Sequence, residues 1–401
     1  MTVTNTEATD LPRMPRRLDE MDTPWLTAAL RSTATIDGDT RVSAMSWELL
    51  GEGEGFLGDL ARLTLSYEGG EGPASAVLKI PTQKPENRGF GVLVGAYENE
   101  VGFYNELAPL VDVRTPARYF AEMEPAARSS AVVERVLDAL PERVTLWLLP
   151  RLAAAAGKAD RRAVVMMEDL GDTRIGDQVA GASLQDAEHA LDILAQFHAR
   201  FWEGPELKRP WLKRQDDTVL VTHGLYQRAL PVFEERFKDQ LDVKTRVVLD
   251  AVTARGPGLL RRAGQGPLTI VHGDFRMDNL AFFDGEATPA GMIDFQGVTV
   301  GHPLTDVAYF LRPNLDPDLA DQVEDALLHR YHEGLVRHGV TSFSFEEVER
   351  EYELAQLWVL HLGVILIGTL DLSHERGVRI VERAIERALR VASRLEPSRW
   401  F

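Results

Sequence analysis

Three polar residues stand at fixed intervals in the stretch TIVHGDFRMDNLAFFDGEATPAGMIDF, which covers residues 269–295. Asp274 follows one apolar run, Asn279 comes five positions later, and Asp294 lies at the end of a second apolar run. A carboxylate and an amide carbonyl supply the oxygen ligands that a hard divalent cation prefers, and they leave room for phosphate. The remaining carboxylate can accept the proton of an attacking hydroxyl group. The pattern therefore predicts Asn279 and Asp294 as metal ligands and Asp274 as the catalytic base.

The apolar runs around these residues predict short strands that hold them in place. LTIV, LAFF and GMIDF have the composition of strands, and DGEATPA between the last two has the composition of a turn. A hairpin built in this way returns Asp294 to the side of Asn279. His272 begins the loop and Asp306 begins the helix that follows, and both are expected to hold the loop rather than to react.

A buried lysine and a glycine-rich turn are the other chemical signals, and both lie nearer the N-terminus. Lys79 stands at the end of ASAVLKI, and a lysine among buried residues needs a counter-charge such as a phosphate or a carboxylate. The turn GEGEGFLG contains Gly53, Gly55 and Gly58, and glycine lets backbone amides approach phosphate closely. The turn lacks the Gly-Lys-Ser/Thr of a Walker A loop, and its two glutamates would not attract phosphate.

The chain changes character near residue 170. Before this point lie the short β-type runs ARLTLSY, ASAVLKI, VTLWLLP and AVVMMEDL, and after it apolar residues recur at helical spacing. At 401 residues the chain exceeds the usual single core, so a smaller sheet-containing lobe and a larger helical lobe are expected. Helices are predicted near 93–108, 183–202, 222–238, 241–262, 317–338, 346–371 and 374–395.

Composition excludes several classes of function. The formal net charge of −18 predicts a surface that repels nucleic acid and anionic membranes, so neither is an expected partner. The absence of cysteine excludes disulfides, thiolate zinc sites and cysteine nucleophiles. The apolar run at 354–370 falls short of the ~20 residues that a membrane span needs and contains Gln356 and His361, so a buried helix is expected. Since the N-terminus has no signal-peptide core, a cytoplasmic location is predicted.

In combination, HGDFRMDN and the IDF that follows resemble the catalytic and metal-binding motifs of the aminoglycoside phosphotransferase and choline kinase-like superfamily. These enzymes are similar to protein kinases, in which a catalytic Asp with Asn five positions later precedes Asp-Phe-Gly. VTVGHPLTDVAYFL resembles the helix start after the family's metal aspartate, and GMIDFQ is more similar to the ecdysteroid kinase-like branch than to the antibiotic-resistance enzymes. The resemblance covers residues 45–385 and implies an α+β, protein kinase-like two-lobed fold.

The resemblance also implies roles for residues outside the loop. Lys79, set by Glu100 of the segment NEVGFY, would position the α- and β-phosphates of ATP, with Glu98 as the alternative partner. The glycine turn would contact phosphate. Backbone groups of Glu168 and Leu170, in the connector MMEDLG, would bind adenine.

The sequence therefore predicts an ATP-dependent, Mg²⁺-dependent phosphotransferase that transfers the γ-phosphoryl group to a hydroxyl of a small molecule, preferably an apolar, hydroxyacyl or steroid-like alcohol. An aminoglycoside- or choline-type kinase and a nucleotide-binding pseudokinase stay open as alternatives. A protein kinase is disfavoured, because no Ala-Pro-Glu closure follows Asp294. The nucleotide-binding lobe is expected at 1–167, the hinge at 168–171 and the helical lobe at 172–401.

The preference for an apolar alcohol depends on whether aromatic side chains of the helical lobe line a cleft. Aromatic residues more often belong to a core. The residues in question are Phe201, Trp202, Trp211, Tyr226 and Trp358.

Overall fold

The computed structural model describes the chain over most of its length as two compact units. The described residues are 13–51, 57–125, 161–217, 219–283, 288–369 and 375–392, with a few isolated positions between these ranges. Within them, the first unit contains residues 13–105, 116–125 and 161–171, and the second contains 106–115 and the residues from 172 onward. The lobe limits expected at 167 and 172 stay a prediction.

A five-stranded sheet dominates the first unit. Its elements are α1 (Thr23–Ser32), β1 (Arg41–Leu50), β2 (Gly58–Glu68), β3 (Ser75–Pro81), α2 (Pro85–Val94), α3 (Ala96–Gly102), β4 (Arg118–Met123) and β5 (Ala163–Glu168). The strand order is β1-β2-β3-β5-β4, and all neighbouring strands are antiparallel. Strand β3, which carries Lys79, is therefore the central strand of the sheet.

One face of this sheet packs on α1, and Lys79 points to the opposite face. Asp22 caps α1 by accepting a hydrogen bond from Trp25 N at 2.8 Å. Leu78 and Ile80 of β3 belong to the same apolar cluster as Trp25. Because successive side chains of a strand point to opposite faces, Lys79 between them points away from this cluster.

The segment expected to form one helix near 93–108 is broken. Gly95 has a left-handed backbone (φ +77°) that ends α2, as glycine commonly does at a helix end, and α3 starts directly after it. The last turn, Phe103–Leu107, is of the π type. The prediction of one continuous apolar face is therefore wrong at its start. Val94 is exposed, whereas Tyr97 in α3 is buried.

The run VTLWLLP, expected as a strand, is helical at its described positions, which include Val144, Trp147 and Leu148. A short apolar run is compatible with a strand or with a helical segment, so its composition did not decide between them.

The second unit is mainly helical. Its elements are β6 (Arg174–Ile175), α4 (Leu184–Phe201), α5 (Val219–Arg236), α6 (Val243–Arg262), β7 (Thr269–Val271), β8 (Leu280–Phe282), β9 (Ala290–Met292), β10 (Thr299–Gly301), α7 (Leu304–Asn314), α8 (Pro317–Arg337), α9 (Phe345–Thr369) and α10 (Glu375–Ala392). The helices expected after residue 180 are confirmed within a few residues at each end. Ser183 caps α4 by accepting a hydrogen bond from Asp186 N at 3.1 Å. The predicted fold class, α+β with a β-rich N-terminal part and a helical C-terminal part, is confirmed.

The apolar stretch at 354–370 lies mostly in α9. Leu357, Leu360 and Val364 are buried in a core cluster that α5, α6 and α10 also build, as the buried-helix prediction requires. Within the described ranges, no helix is both long enough and apolar enough to span a bilayer.

His361 and His302 are two of the histidines that are buried in the second unit. His361 of α9 stacks on Tyr226 with ring centroids 4.4 Å apart, and its Nε2 lies 3.3 Å from Nδ1 of His223. His302 is buried between β10 and α7. Burial, reinforced by His223, lowers the pKa of His361 to about 3, and burial lowers the pKa of His302 to about 4. Both rings are therefore neutral in the folded protein near pH 7.

These two pKa values predict that the protein loses stability as the pH falls. Below pH ~6.5 both histidines are protonated in the unfolded chain but not in the folded protein. Each histidine therefore lowers the free energy of unfolding by about 1.4 kcal/mol for each unit that the pH falls. Urea unfolding at pH 7 and pH 5 should show this loss, and His361→Gln should reduce it by roughly 2 kcal/mol.

His329→Gln is the matched control, because His329 is half-exposed and stacks on Phe345 at the surface. It should leave the loss unchanged. If His361→Gln lost as much stability on acidification as the wild type, the buried neutral state of His361 would be wrong.

Candidate active site

The first unit buries an ion pair between the central strand and α3. Lys79 Nζ lies 2.9 Å from Glu100 Oε1, and the two residues are 5% and 3% exposed. A lysine buried without a partner would cost several kcal/mol, so the carboxylate keeps it charged. The structure thus brings together the lysine and the glutamate that were predicted as partners; their role in phosphate binding stays a prediction.

Glu98, the alternative partner, forms its ion pair with Arg161. Positions two apart on an α-helix are separated by about 200° around its axis, so Glu98 and Glu100 leave α3 in different directions. The sequence left open which glutamate pairs with Lys79, and the structure shows that Glu100 does.

Only the two ends of the glycine-rich turn belong to the described residues. Gly53 and Gly55 lie outside the described residues, and Gly58 begins β2 opposite Pro81. A Cβ at position 58 would come within 3.0 Å of Cε of Lys79, so the glycine makes room for the lysine side chain. Contact of any of the three glycines with phosphate stays a prediction.

The predicted adenine-binding connector follows β5. Glu168 N donates to Ala117 O at 2.8 Å, and Ala117 N donates to Glu168 Oε2 at 3.1 Å. The amide of Glu168 is therefore used within the first unit, so an adenine contact from this residue would have to use its carbonyl oxygen. Adenine binding by Glu168 and Leu170 stays a prediction.

In the second unit, a hairpin assembles the acidic loop as the sequence predicts. Strands β8 and β9 are antiparallel with Leu280 opposite Met292, and Ile293 N donates to Asn279 O at 3.0 Å. Asp294 follows Ile293 directly and is thereby returned to the side of Asn279. The amide Nδ2 of Asn279 donates to the backbone oxygen and to Oδ2 of Asp274, each at 2.8 Å.

The donor set of this hairpin fits a divalent cation. Since Nδ2 of Asn279 faces Asp274, the amide oxygen faces away from it, as a metal ligand would require; the metal role of Asn279 and Asp294 stays a prediction. Asp294 has a left-handed backbone (φ +62°, ψ 79°), which is rare for a residue other than glycine and is found mostly at functional sites. No group of three or more histidines and carboxylates with metal-site spacing occurs in the described part of the chain. Two protein ligands are typical of Mg²⁺ sites that phosphate and water complete.

Asp306 holds the start of the loop, as expected. It is 1% exposed, its Oδ2 accepts a hydrogen bond from His272 N at 2.6 Å, and its Oδ1 accepts one from Gly273 N at 3.0 Å. His198 Nε2 lies 3.3 Å from the same Oδ2. The ring of His272 is engaged at both nitrogens, with Ile293 O at 3.1 Å and with Asp274 N at 3.4 Å, which fits a structural role.

Two residues that the sequence reasoning missed contact the Asp274 carboxylate. Arg276 Nε lies 3.2 Å from Oδ1 and 3.3 Å from Oδ2, and Tyr309 Oη donates to Oδ1 at 3.1 Å. Burial alone would lower the pKa of Arg276, but the charges of Asp274 and Asp278 raise it. The signals for both residues were present: Arg276 lies inside the quoted motif, and Tyr309 stands three positions after Asp306, on the same face of α7.

The aromatic residues of the helical unit divide into two groups. Phe201 and Tyr226 are fully buried and belong to the core. Trp202, Trp211 and Trp358 are partly exposed, and Trp211 Nε1 donates to Glu106 at 2.9 Å.

Two glycines bring the Asp274 loop and the Asp294 loop into backbone contact. Gly273 has φ +76°, and a Cβ there would lie 2.1 Å from Gly297 O. Gly297 is less constrained, because a Cβ there would lie 3.0 Å from His272 O, a tight contact that a small shift of the neighbour would relieve. A side chain at position 273, by contrast, would collide with the backbone of the facing loop.

Gly273→Ala is therefore expected to destabilise the protein by roughly 2–4 kcal/mol, since the clash with backbone adds to the strain of a positive φ. Gly285→Ala is the matched control, because Gly285 also has a positive φ (+82°) but no heavy atom near the added Cβ. It should cost about 1 kcal/mol. Urea unfolding measures both, and equal costs would show that the two loops separate easily.

An N-terminal sheet with a buried lysine–glutamate pair, followed by a helical unit with an acidic hairpin, defines a kinase-like protein. The sequence profile of the ecdysteroid kinase-like family matches residues 52–341, well over half of the chain. The chain belongs to this family, which confirms the resemblance seen in the motifs.

Individual relatives are distant or match over a short stretch. Acyl-CoA dehydrogenase family member 11 of Homo sapiens is 44% identical over 41 residues, which are 10% of this chain and 5% of that protein. The chain thus covers about a twentieth of the length of such relatives. Among solved structures, the ethanolamine kinase of Plasmodium vivax is similar with 10% identity and a TM-score of 0.47, over 90% of this chain and 87% of that one. A microcompartment-associated aminopropanol kinase is similar with 16% identity and a TM-score of 0.44, over 93% and 99%.

Proposed function

We propose that the protein is an ATP-dependent kinase of a small-molecule alcohol. The observation that carries the proposal is the 2.8 Å contact between Asp274 and Asn279 on the hairpin that also holds Asp294. In the proposed reaction the acceptor oxygen bonds to the γ-phosphorus and the bond from that phosphorus to the bridging oxygen breaks. The proton of the acceptor hydroxyl passes to the Asp274 carboxylate.

The other predicted residues bind the nucleotide. Lys79, kept charged by Glu100, donates to the α- and β-phosphates of ATP, and backbone groups at 168–171 bind adenine. Asn279 and Asp294 hold Mg²⁺, which when bound neutralises phosphate charge. Catalysis is then mainly alignment of the acceptor with the phosphate, because a loose phosphoryl-transfer transition state leaves little covalent chemistry to the protein. A cytoplasmic location, where Mg²⁺ and ATP are abundant, is part of the proposal.

An apolar alcohol of the steroid or hydroxyacyl type is the preferred acceptor. The name of the family refers to the phosphorylation of a steroid, which supports this class. Trp202, Trp211 and Trp358 are partly exposed in the second unit, so apolar contact surface is present there. An aminoglycoside- or choline-type acceptor is the second candidate, and the acidic net charge of −18 is compatible with such a cation.

Replacing the catalytic carboxylate separates binding from transfer. Asp274→Asn should retain ATP binding, since the nucleotide contacts are elsewhere, and should lose transfer by a factor of roughly 10² or more. The wild type and the variant would be incubated with Mg-ATP and a metabolite extract, and mass spectrometry would detect compounds that gain one phosphoryl group. Asp242→Asn, at the cap of α6, is the control, because asparagine caps a helix as well as aspartate does.

A compound phosphorylated by the wild type and by Asp242→Asn but not by Asp274→Asn would identify the acceptor. Full turnover by Asp274→Asn would remove the proposed mechanism. ATP binding without any product in extracts of several compositions would favour the pseudokinase alternative.

The two glutamates of α3 offer a second test. Glu100→Gln should weaken ATP binding by about tenfold or more, because Lys79 loses its buried counter-charge. Glu98→Gln alters a partly exposed pair and should change ATP binding by less than about twofold. Calorimetric titration with Mg-ATP measures both, and equal effects of the two substitutions would contradict the assigned ion pair.

A further inference from the structure

The carboxylate of Asp274 is held by three hydrogen-bond donors, and one of them comes from a separate element. Arg276 and Asn279 belong to the same loop as Asp274. Tyr309 belongs to α7, 35 positions further along the chain, and its hydroxyl donates to Oδ1 at 3.1 Å. Without Tyr309, every donor to this carboxylate would move with the loop itself.

Helix α7 holds the loop at two points through two residues one turn apart. Asp306 accepts the backbone amides of His272 and Gly273, at 2.6 and 3.0 Å. Tyr309 binds the carboxylate of Asp274. Residues three apart on a helix lie on one face, so the backbone and the side chain of the loop are fixed against the same rigid surface.

The hydroxyl of Tyr309 stays a donor at every pH at which the enzyme would work. Burial, reinforced by the charge of Asp274, raises the pKa of Tyr309. The phenol therefore does not compete with Asp274 for the proton of an acceptor.

We propose that Tyr309 is a positioning residue that fixes the rotation of the Asp274 carboxylate. This inference rests on the proposed function, in which Asp274 receives the proton of the acceptor. A carboxylate with one oxygen anchored by Tyr309 and the other by Asn279 turns little about its Cβ–Cγ bond. Its orientation toward an acceptor hydroxyl is then set before the acceptor arrives, which is the usual requirement for efficient phosphoryl transfer.

The test is Tyr309→Phe, which keeps the ring and removes the donor. Loss of a hydrogen bond to a charged group is expected to lower kcat about tenfold and to leave KM for ATP within about twofold. Tyr67→Phe is the matched control: Tyr67 is also partly buried and also makes one hydrogen bond, to Pro73 O at 2.8 Å. It should change neither kcat nor KM for ATP.

Crystal structures of the wild type and of Tyr309→Phe, both without ligand, provide a readout that needs no turnover. The expected result is a rotated or disordered Asp274 carboxylate in the variant. An unchanged carboxylate together with an unchanged kcat would reduce Tyr309 to a packing residue and overturn the proposal, even if the melting temperature fell. If instead Asp274→Asn kept full turnover, the proposed function would fail, while the crystal structures would still show whether Tyr309 orients the carboxylate.

Discussion

The buried carboxylate of Asp306 is the constraint on which the acidic loop depends. A carboxylate that is 1% exposed needs several donors to remain charged, and it takes them from the backbone of His272 and Gly273 and from the ring of His198. His198 is in turn fixed by Tyr331, whose hydroxyl lies 2.8 Å from its Nδ1. The need to satisfy one buried charge therefore dictates the backbone path that presents Asp274.

A steric condition works together with this electrostatic one. The loops before Asp274 and after Asp294 cross closely at Gly273, where only glycine fits, and at Gly297. The crossing keeps both loops close to the hairpin that carries Asn279. Charge satisfaction and close backbone contact thus converge on the same few residues. The close contact requires glycine at position 273, whereas the hydrogen bond to Asp306 requires only a backbone amide there.

The parts of the site that are local in sequence could be predicted, and the parts that depend on distant packing could not. The hairpin follows from two apolar runs and a turn, so Asn279 and Asp294 could be placed together in advance. Glu98 and Glu100 differ by two positions on one helix, and composition offers nothing to choose between them. Tyr309 reaches Asp274 from α7, and only the packing of that helix decides which of its side chains meets the loop.

The helical assignments show the same division. Long amphipathic helices such as α8 and α9 were predictable because their apolar period persists over several turns. The break at Gly95 was not, because the residues on both sides of it continue a helical pattern and the left-handed glycine costs little in either state.

The segment from β7 to β10 closes on itself. Thr269 pairs with Gly301 and Val271 with Thr299, so the points where the chain enters and leaves this segment are hydrogen-bonded to each other. Between them lie all three of the predicted metal and base residues. Such a closed segment resembles a cassette: exchanged as one block between related chains, it would carry its acid–amide set with it and keep the same junctions. The exchange would preserve the loop only in a chain that also supplies an aspartate at the position of Asp306, which lies just outside the block.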